Sequence, residues 1–250
     1  MTVWEALAVV LAGLGAGAIN AVVGSGTLIT FPVLLAVGYP PVLANVSNNV
    51  GLVLGGVSTV LANGPELAGQ RARLSRLGIA SAAGGATGAV ALLVLPSDAF
   101  RAVVPVLIAI ACVLVVLQPR LSQRFAERDE TESEIRPALV AGVFATGVYG
   151  GFFGAAQGVM LIALLGVLLR ESLQRVNAAK NLLTLIVNAI AALIFVAVTH
   201  VAWLAAGLIA MGSIVGGQLG ARLGRRVSAP VLRGLVVLVG VVAIVSLLAS

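Results

Sequence analysis

The chain has 250 residues, 60% of them hydrophobic and only 10% charged, with a formal net charge of +6 and a mean hydropathy of +1.14. Soluble domains carry about 25% charged residues, so this composition excludes a water-soluble globular protein, and equally a disordered, collagen-like or disulfide-stapled chain. The single cysteine, Cys112, lies in an apolar run and cannot form a disulfide within the chain. A polytopic helical membrane protein remains.

Ten apolar segments follow in chain order: 3–22, 26–38, 42–62, 77–95, 100–118, 137–154, 158–169, 175–198, 201–221 and 230–248. A spanning helix needs about 20 such residues. Eight segments reach that length, and 26–38 and 158–169 do not. The latter two extend roughly 20 Å against a hydrocarbon core of about 30 Å. At the start, Met1-Thr2-Val3-Trp4-Glu5 lacks the positive region of a signal peptide, and no polar cleavage region follows. The first segment is therefore expected to be retained.

Loop arginines mark the cytoplasmic side. They cluster at Arg71, Arg73 and Arg76; at Arg120, Arg124, Arg128 and Arg136; at Arg170 and Arg175; and at Arg222, Arg225, Arg226 and Arg233. All clusters fall on one side if each of the ten segments changes side, which puts both chain ends outside. If the two short segments were re-entrant, the Arg222 cluster would face outward. The tract 119–136, with Glu127, Arg128, Asp129, Glu130, Glu132, Glu134 and Arg136, is expected to be a solvated cytoplasmic linker. The competing reading is a site for a regulatory partner.

The first half falls onto the second when shifted by 132 positions. Gly26 meets Gly158, Asn45 meets Asn177, Asn49 meets Asn181, Gly84, Gly85 and Gly88 meet Gly216, Gly217 and Gly220, and Arg101 meets Arg233. Upstream the offset is 130, pairing Gly17 with Gly147 and Gly24 with Gly154. The basic clusters do not follow this register. Arg71, Arg73 and Arg76 precede their helix, whereas Arg222, Arg225 and Arg226 follow the matched one. By the positive-inside rule the copies then insert in opposite orientation, which an odd number of segments per copy requires. The expected fold is an all-α polytopic membrane protein of two inverted five-segment repeats, with eight long helices and two short glycine-broken ones. The repeats are 1–118 and 137–250, joined by the linker 119–136. Inverted repeats of this kind build many secondary transporters, with the substrate site at the repeat interface.

Short or glycine-interrupted segments in matching places point to such a site. One break reads Asn20-Ala-Val-Val-Gly24-Ser25-Gly26-Thr27; the other reads Gly150-Gly-Phe-Phe-Gly154-Ala-Ala-Gln157-Gly158. A helix starting inside the membrane presents free N–H groups and partial positive charge, and two such starts facing each other make an anion site. Ser25, Thr27 and Gln157 would add donors. The competing reading is that these glycines only let helices pack, which is the reading preferred for Gly13, Gly17, Gly84, Gly88, Gly216 and Gly220. The second constellation is Asn45, Asn48 and Asn49 with its counterpart Asn177, Lys180 and Asn181, each set on one helical face. Thr184 and Asn188 extend the second face. Lys180 is the sole lysine and would strengthen an anion site; alternatively it snorkels to the cytoplasmic surface. The asparagines alternatively only bond helix to helix.

No Asp or Glu falls in the middle of a segment, which argues against a cation channel or a carboxylate proton relay. His200, between the eighth and ninth segments, reads as a surface residue. No zinc-protease motif or paired intramembrane aspartates occur, so an enzyme is not expected, nor a metal or cofactor. A non-transporting scaffold would leave the buried polar residues without purpose. The positive charge reflects cytoplasmic arginines and not nucleic-acid binding.

The run Gly15-Ala-Gly-Ala-Ile-Asn-Ala-Val-Val-Gly-Ser-Gly-Thr-Leu, the later Ala44-Asn-Val-Ser-Asn-Asn, and Val176-Asn-Ala-Ala-Lys-Asn resemble the TauE/SafE family of sulfite and sulfonate exporters, the 4-toluene sulfonate uptake permease family. The resemblance covers essentially the whole chain. It implies a prokaryotic inner-membrane permease, with about eight spans, for small sulfur-containing or other organic anions. The leading expectation is therefore a secondary transporter, an exporter or permease working by alternating access on sulfite or organosulfonates. A passive anion channel and an uptake permease for organic carboxylates are the alternatives. A coupling ion, H+ or Na+, and a second copy of the chain are further candidate partners.

Overall fold

A computed structural model describes residues 1–123, 137–169, 171–223 and 229–249. Of the expected linker 119–136, residues 119–123 continue a helix and 124–136, with Arg124, Arg128 and Arg136, lie outside the described residues, as do Arg170, Arg225, Arg226 and the side chain of Arg120. The described chain is helical: α1 (Val3–Val22), α2 (Thr27–Ala36), α3 (Pro41–Ala62), α4 (Gly64–Leu67), α5 (Arg71–Val94), α6 (Ser97–Gln123), α7 (Pro137–Phe152), α8 (Gln157–Leu168), α9 (Leu173–Val198), α10 (Trp203–Leu223) and α11 (Ala229–Ala249). Each expected segment holds one helix, and the single turn α4 is an addition.

Local chemistry sets several of these ends. Thr2 and Glu5 form a reciprocal capping box at the start of α1, with Thr2 N donating to Glu5 Oε2 at 2.6 Å. Pro41 opens α3, where its missing N–H costs nothing. Ser172 caps α9 by accepting from Arg175 N at 3.4 Å.

Five helical stretches are both long and apolar enough to cross a membrane: Val3–Val22, Arg71–Val94, Ser97–Pro119, Leu173–Val198 and Trp203–Arg222. This is fewer than the eight long segments expected from hydropathy. α3 has the length, 22 residues, but Asn45, Ser47, Asn48, Asn49, Ser58 and Thr59 lower its hydropathy. α7 stops after 16 residues at Phe152, because Gly154 turns the chain at φ +78°. Many large apolar side chains face outward, Leu61, Ile79, Leu193, Leu204 and Leu238 among them. A helix bundle that turns large apolar side chains outward while burying polar ones is built for lipid, and the chain is a multi-pass membrane protein.

The tightest seams join distant parts of the chain. α1 packs on α10 and α5 on α7; α3 packs on α10 and α9, and α5 on α9. Small residues make these seams. A Cβ built on Gly17 would lie 2.8 Å from Gly217 N, and one on Gly84 would lie 3.0 Å from Gly147 Cα. Gly13 faces Ile209, Gly88 faces Val148 and Phe152, Gly216 faces Leu14, and Gly220 faces Ala18. Backbones thus approach directly, and dispersion replaces the hydrophobic effect that lipid cannot supply. The packing reading of these glycines agrees with their positions.

On one face, an ionic network ties α5 to the α8–α9 connection. Glu171 accepts from Arg73 Nη2 at 2.8 Å and from Arg175 Nε at 2.6 Å. Arg73 also donates to Gln70, and Arg175 Nη1 donates to Ala68 O at 3.1 Å. Partial burial pushes the Glu171 carboxyl up, but the hydrogen bonds and charges of Arg73 and Arg175 outweigh it and hold the group below the usual glutamate range.

Three substitutions test these contacts by thermal unfolding in detergent, read by intrinsic fluorescence. Gly17→Ala should lower the apparent Tm by about 5 °C or more through overpacking. Gly207→Ala, where nothing lies within 4 Å of the new Cβ, should leave it unchanged or raise it slightly. Glu171→Gln should cost about 1 kcal/mol, or roughly 2–4 °C. Because the folded carboxyl is held low, that contribution is present above the unfolded glutamate range and is lost as the pH falls through the lowered value. The gap between wild type and Glu171→Gln should therefore close below about pH 4.

Candidate functional site

The two glycine breaks meet back to back. Gly158 N donates to Gly24 O at 3.1 Å, and a Cβ on Gly158 would lie 2.5 Å from Gly24 Cα. Only glycine permits this approach on both sides. Gly24 and Gly154 also take corresponding positive φ values, +86° and +78°, that turn the chain out of α1 and α7. The second break has two more residues, and Ala156 is left in the left-handed region at φ +60°, where a Cβ is strained. Gly24, Ser25, Gly26, Thr27, Gln157 and Gly158 are all buried.

Four helix ends converge here: the last turns of α1 and α7 and the first turns of α2 and α8. In lipid their backbone groups need partners from the protein. The asparagine faces supply them crosswise. Asn45 on α3 donates from Nδ2 to Phe152 O, the last carbonyl of α7, at 2.9 Å. Asn177 and Asn181 on α9 donate from Nδ2 to Ala21 O near the end of α1, at 3.0 and 3.4 Å. Lys180 Nζ donates to Asn20 O at 2.8 Å, placing its amino group at the carbonyl end of α1. Asn20 Oδ1 in turn accepts from Gly26 N at 2.7 Å, joining the end of α1 to the start of α2. Asn48 points to α2, donating to Thr27 Oγ1 at 3.3 Å and accepting from Thr30. Asn49 reaches across to Asn188 Oδ1 at 3.4 Å.

Lys180 is 1% exposed and does not reach a surface, which removes the snorkelling alternative. Its stem passes Gly158, where a built Cβ would lie 3.0 Å from Lys180 Cδ. The bonding reading of the asparagines is correct for the Nδ2 groups named above.

Some polar atoms at the crossing remain without a partner among the described residues. Gln157, 1% exposed and packed against Gly150, has neither Oε1 nor Nε2 bonded, and Ser25 Oγ, equally buried, is also unpaired. The backbone amides of Ser25 and Thr27 have no acceptor either. Buried polar groups are almost always satisfied, so unpaired donors beside an N-terminus with partial positive charge are suited to an anionic guest. An apolar wall backs the second break: Phe153 packs edge-on against Phe31 at 5.2 Å and Phe100 against Phe152 at 5.7 Å. The surface groove of about 470 Å³ between α5 and α9 is aliphatic apart from Arg71 and Ser75, and no residue of the crossing lines it.

Sequence reasoning missed Thr30, Ser47 and Tyr149. Thr30 bonds Asn48; Ser47 accepts from Ala202 N at 2.9 Å at the start of α10; Tyr149 has a buried, unpaired hydroxyl beside the second break. Thr30 was findable, as a second hydroxyl one turn beyond Thr27 in an apolar segment.

The arrangement, glycine-broken helices meeting within an apolar helical bundle, is that of a multi-pass membrane protein. The family model described as "Sulfite exporter TauE/SafE" matches residues 9–247, and the chain belongs to that family. It is 26% identical over 231 residues to the probable membrane transporter protein YfcA of Escherichia coli K12, covering 91% of this chain and 83% of that protein. It is 25% identical over 235 residues to the probable membrane transporter protein ORF9 of Sinorhizobium sp, covering 94% and 89%. A probable membrane transporter protein of Haemophilus influenzae is 26% identical over 211 residues, covering 84% and 82%. No solved structure matches the chain.

If the Gln157 amide is held in reserve for a guest, removing it costs the empty protein nothing. Gln157→Met should leave the apparent Tm unchanged or raise it. A fall of more than about 3 °C, or roughly 1 kcal/mol, would mark the amide as a structural element.

Proposed function

We propose that the chain is a secondary transporter that moves small anions, with sulfite or an organosulfonate as the leading substrates, by alternating access. The observation that carries this is the backbone contact of Gly24 with Gly158. It sets two buried helix starts, the unpaired Ser25 and Gln157 side chains and the sole lysine around one point. The substrate site comprises Asn20, Gly24, Ser25, Gly26, Thr27, Asn45, Asn48, Asn49, Gly154, Gln157, Gly158, Asn177, Lys180 and Asn181. Within it, the amides of Ser25 and Thr27, Ser25 Oγ and Gln157 Nε2 bind the anion's oxygens, and Lys180 balances its charge. The asparagines hold the broken ends in place.

Residues 1–118 and 137–250 are two inverted copies, linked through the cytoplasmic tract 119–136. Several features support this. α3, α5 and α6 begin at residues 41, 71 and 97, and α9, α10 and α11 begin 132 positions later at 173, 203 and 229. The seams also exchange: α1 packs on α10 as α7 packs on α5, and Asn45 caps α7 as Asn177 caps α1. Eight long helices and the short pair α2 and α8 each change side, in a prokaryotic inner membrane, with the arginine clusters inside and both ends outside. Trp4 and Trp203, both exposed, begin α1 and α10 on the side this topology puts outside, where interfacial aromatics belong. Rocking of one copy against the other opens the crossing to each side in turn. The Glu171 network closes the cytoplasmic side.

Proteoliposomes should take up or release labelled sulfite or sulfoacetate. Absence of flux with every anion of a broad panel of sulfonates, sulfur oxyanions and short carboxylates would sink the proposal. Unitary currents in a planar bilayer would instead make it a channel. Lys180→Ala should weaken anion binding by about tenfold or more, whereas Arg101→Ala, at the exposed start of α6, should change it less than about twofold. Equal effects would remove Lys180 from the site.

A further inference from the structure

We propose that Lys180 couples the anion to a proton: Nζ takes up H+ from water as the anion enters the crossing and gives it back on the far side as the anion leaves. This rests on the anion-transport reading above and adds the identity of the coupling ion.

The argument starts from the surroundings of Nζ. It is buried, and its one hydrogen bond among the described residues runs to Asn20 O at 2.8 Å. An ammonium has three N–H donors, so two are unused. The ion pairs among the described residues join Met1 to Glu5 and Arg73 and Arg175 to Glu171; none includes Lys180, and among the described residues no carboxylate lies within 4.0 Å of it. The titratable groups on the elements packed against α9 are Glu5 on α1, Glu66 on α4, Arg71, Arg73 and Arg76 on α5, and Tyr149 on α7; α3 and α8 carry none. On its own side, α9 carries Arg175, which pairs with Glu171 two residues before the helix.

A buried charge without a counter-ion is unstable and is relieved either by pairing or by loss of the proton. An anion at the helix starts provides the pair, so anion and proton stabilise each other in the site. The empty site holds a neutral amine, still able to donate to Asn20 O, and the loaded site holds an ammonium–anion pair. For a monoanion both states are neutral overall, so neither half of the cycle carries net charge through the low-dielectric interior. Only the N–H bond forms and breaks, with water as donor on one side and acceptor on the other. The counterpart of Lys180 in the first copy is Asn48, which does not ionise, so the stoichiometry is one proton per anion. A transporter built this way has no need of an intramembrane carboxylate.

Because Lys180 is the only lysine, full-length protein labelled with 13C at lysine Cε gives one resonance that reports whether Nζ is amine or ammonium. In lipid nanodiscs from about pH 6 to about pH 10, methanesulfonate and sulfoacetate should move it from the amine to the ammonium position. Titration calorimetry in two buffers of different ionisation enthalpy should count about one proton taken up per anion bound. Lys180→Arg should bind the anion with no proton uptake, and Lys180→Gln should bind it about tenfold or more weakly without pH dependence. If either variant misfolds, the wild-type measurements decide. A resonance fixed at the ammonium position with and without a bound anion overturns the proposal and leaves the transport reading standing. So does anion binding with no proton uptake, or binding that requires Na+ instead. If no anion of the panel, extended to sulfite, thiosulfate and acetate, binds by thermal shift, the transport reading falls and this proposal with it.

Discussion

A helix that ends inside a membrane leaves as many as four carbonyls without partners, and the hydrocarbon around it has no water to offer them. This protein brings two helix ends together in its interior, at Val22 and Phe152, and much of its buried polar chemistry is arranged around them. Asn45, Asn177, Asn181 and Lys180 donate to the loose carbonyls from helices remote in sequence. Intramembrane hydrogen bonds of this kind are individually modest, at about 0.6–2 kcal/mol. Leaving the carbonyls bare would cost several times more. The polar faces of α3 and α9 therefore stabilise the fold first, and any binding chemistry is added to that role.

The two breaks resemble each other in outline and differ in content. Gly24 and Gly154 turn alike, but the first break caps Gly26 N with Asn20, while the second has Gly150 in the matching place, and the Gln157 side chain packs there. Asn48 answers Thr27 and Thr30 within its own half, whereas Lys180 reaches across to the other. On the proposed two-copy reading, both halves keep unpaired polar atoms at the crossing, Ser25 Oγ in one and the Gln157 amide in the other, and only the second carries a charge there. Function on this view lies in the departures from symmetry.

Much of this is legible in the sequence. Hydropathy locates every long helix because lipid imposes a length that composition alone can meet. The glycine breaks are visible because Gly24-Ser-Gly and Gly154-Ala-Ala-Gln-Gly each interrupt an apolar stretch and leave a remnant too short to span. Helix ends are less legible. α5 begins at Arg71 and not at 77, since helical hydrogen bonding continues past the hydrocarbon while hydropathy does not. The partners of the asparagines are not legible at all. Asn45 and Asn177 read as polar residues facing inward, but Phe152 O and Ala21 O are backbone acceptors, which every residue has and no side chain announces. The burial of Lys180 is equally undecidable from sequence, because four methylenes can reach a headgroup or lie across a glycine with the same spacing.

The seams between α1 and α10 and between α5 and α7 bear on how the molecule is made. α1 leaves the ribosome about 200 residues before α10 does, an interval on the order of ten seconds or more at ordinary elongation rates. Throughout it, the small-residue face of α1 has no mate and rests against acyl chains. Insertion must therefore tolerate a partly assembled intermediate, and the closing of α10 onto α1 comes late in assembly. A stalled or shortened nascent chain would leave that face open to any other helix with a matching groove, the kind of orphan that membrane quality-control proteases remove.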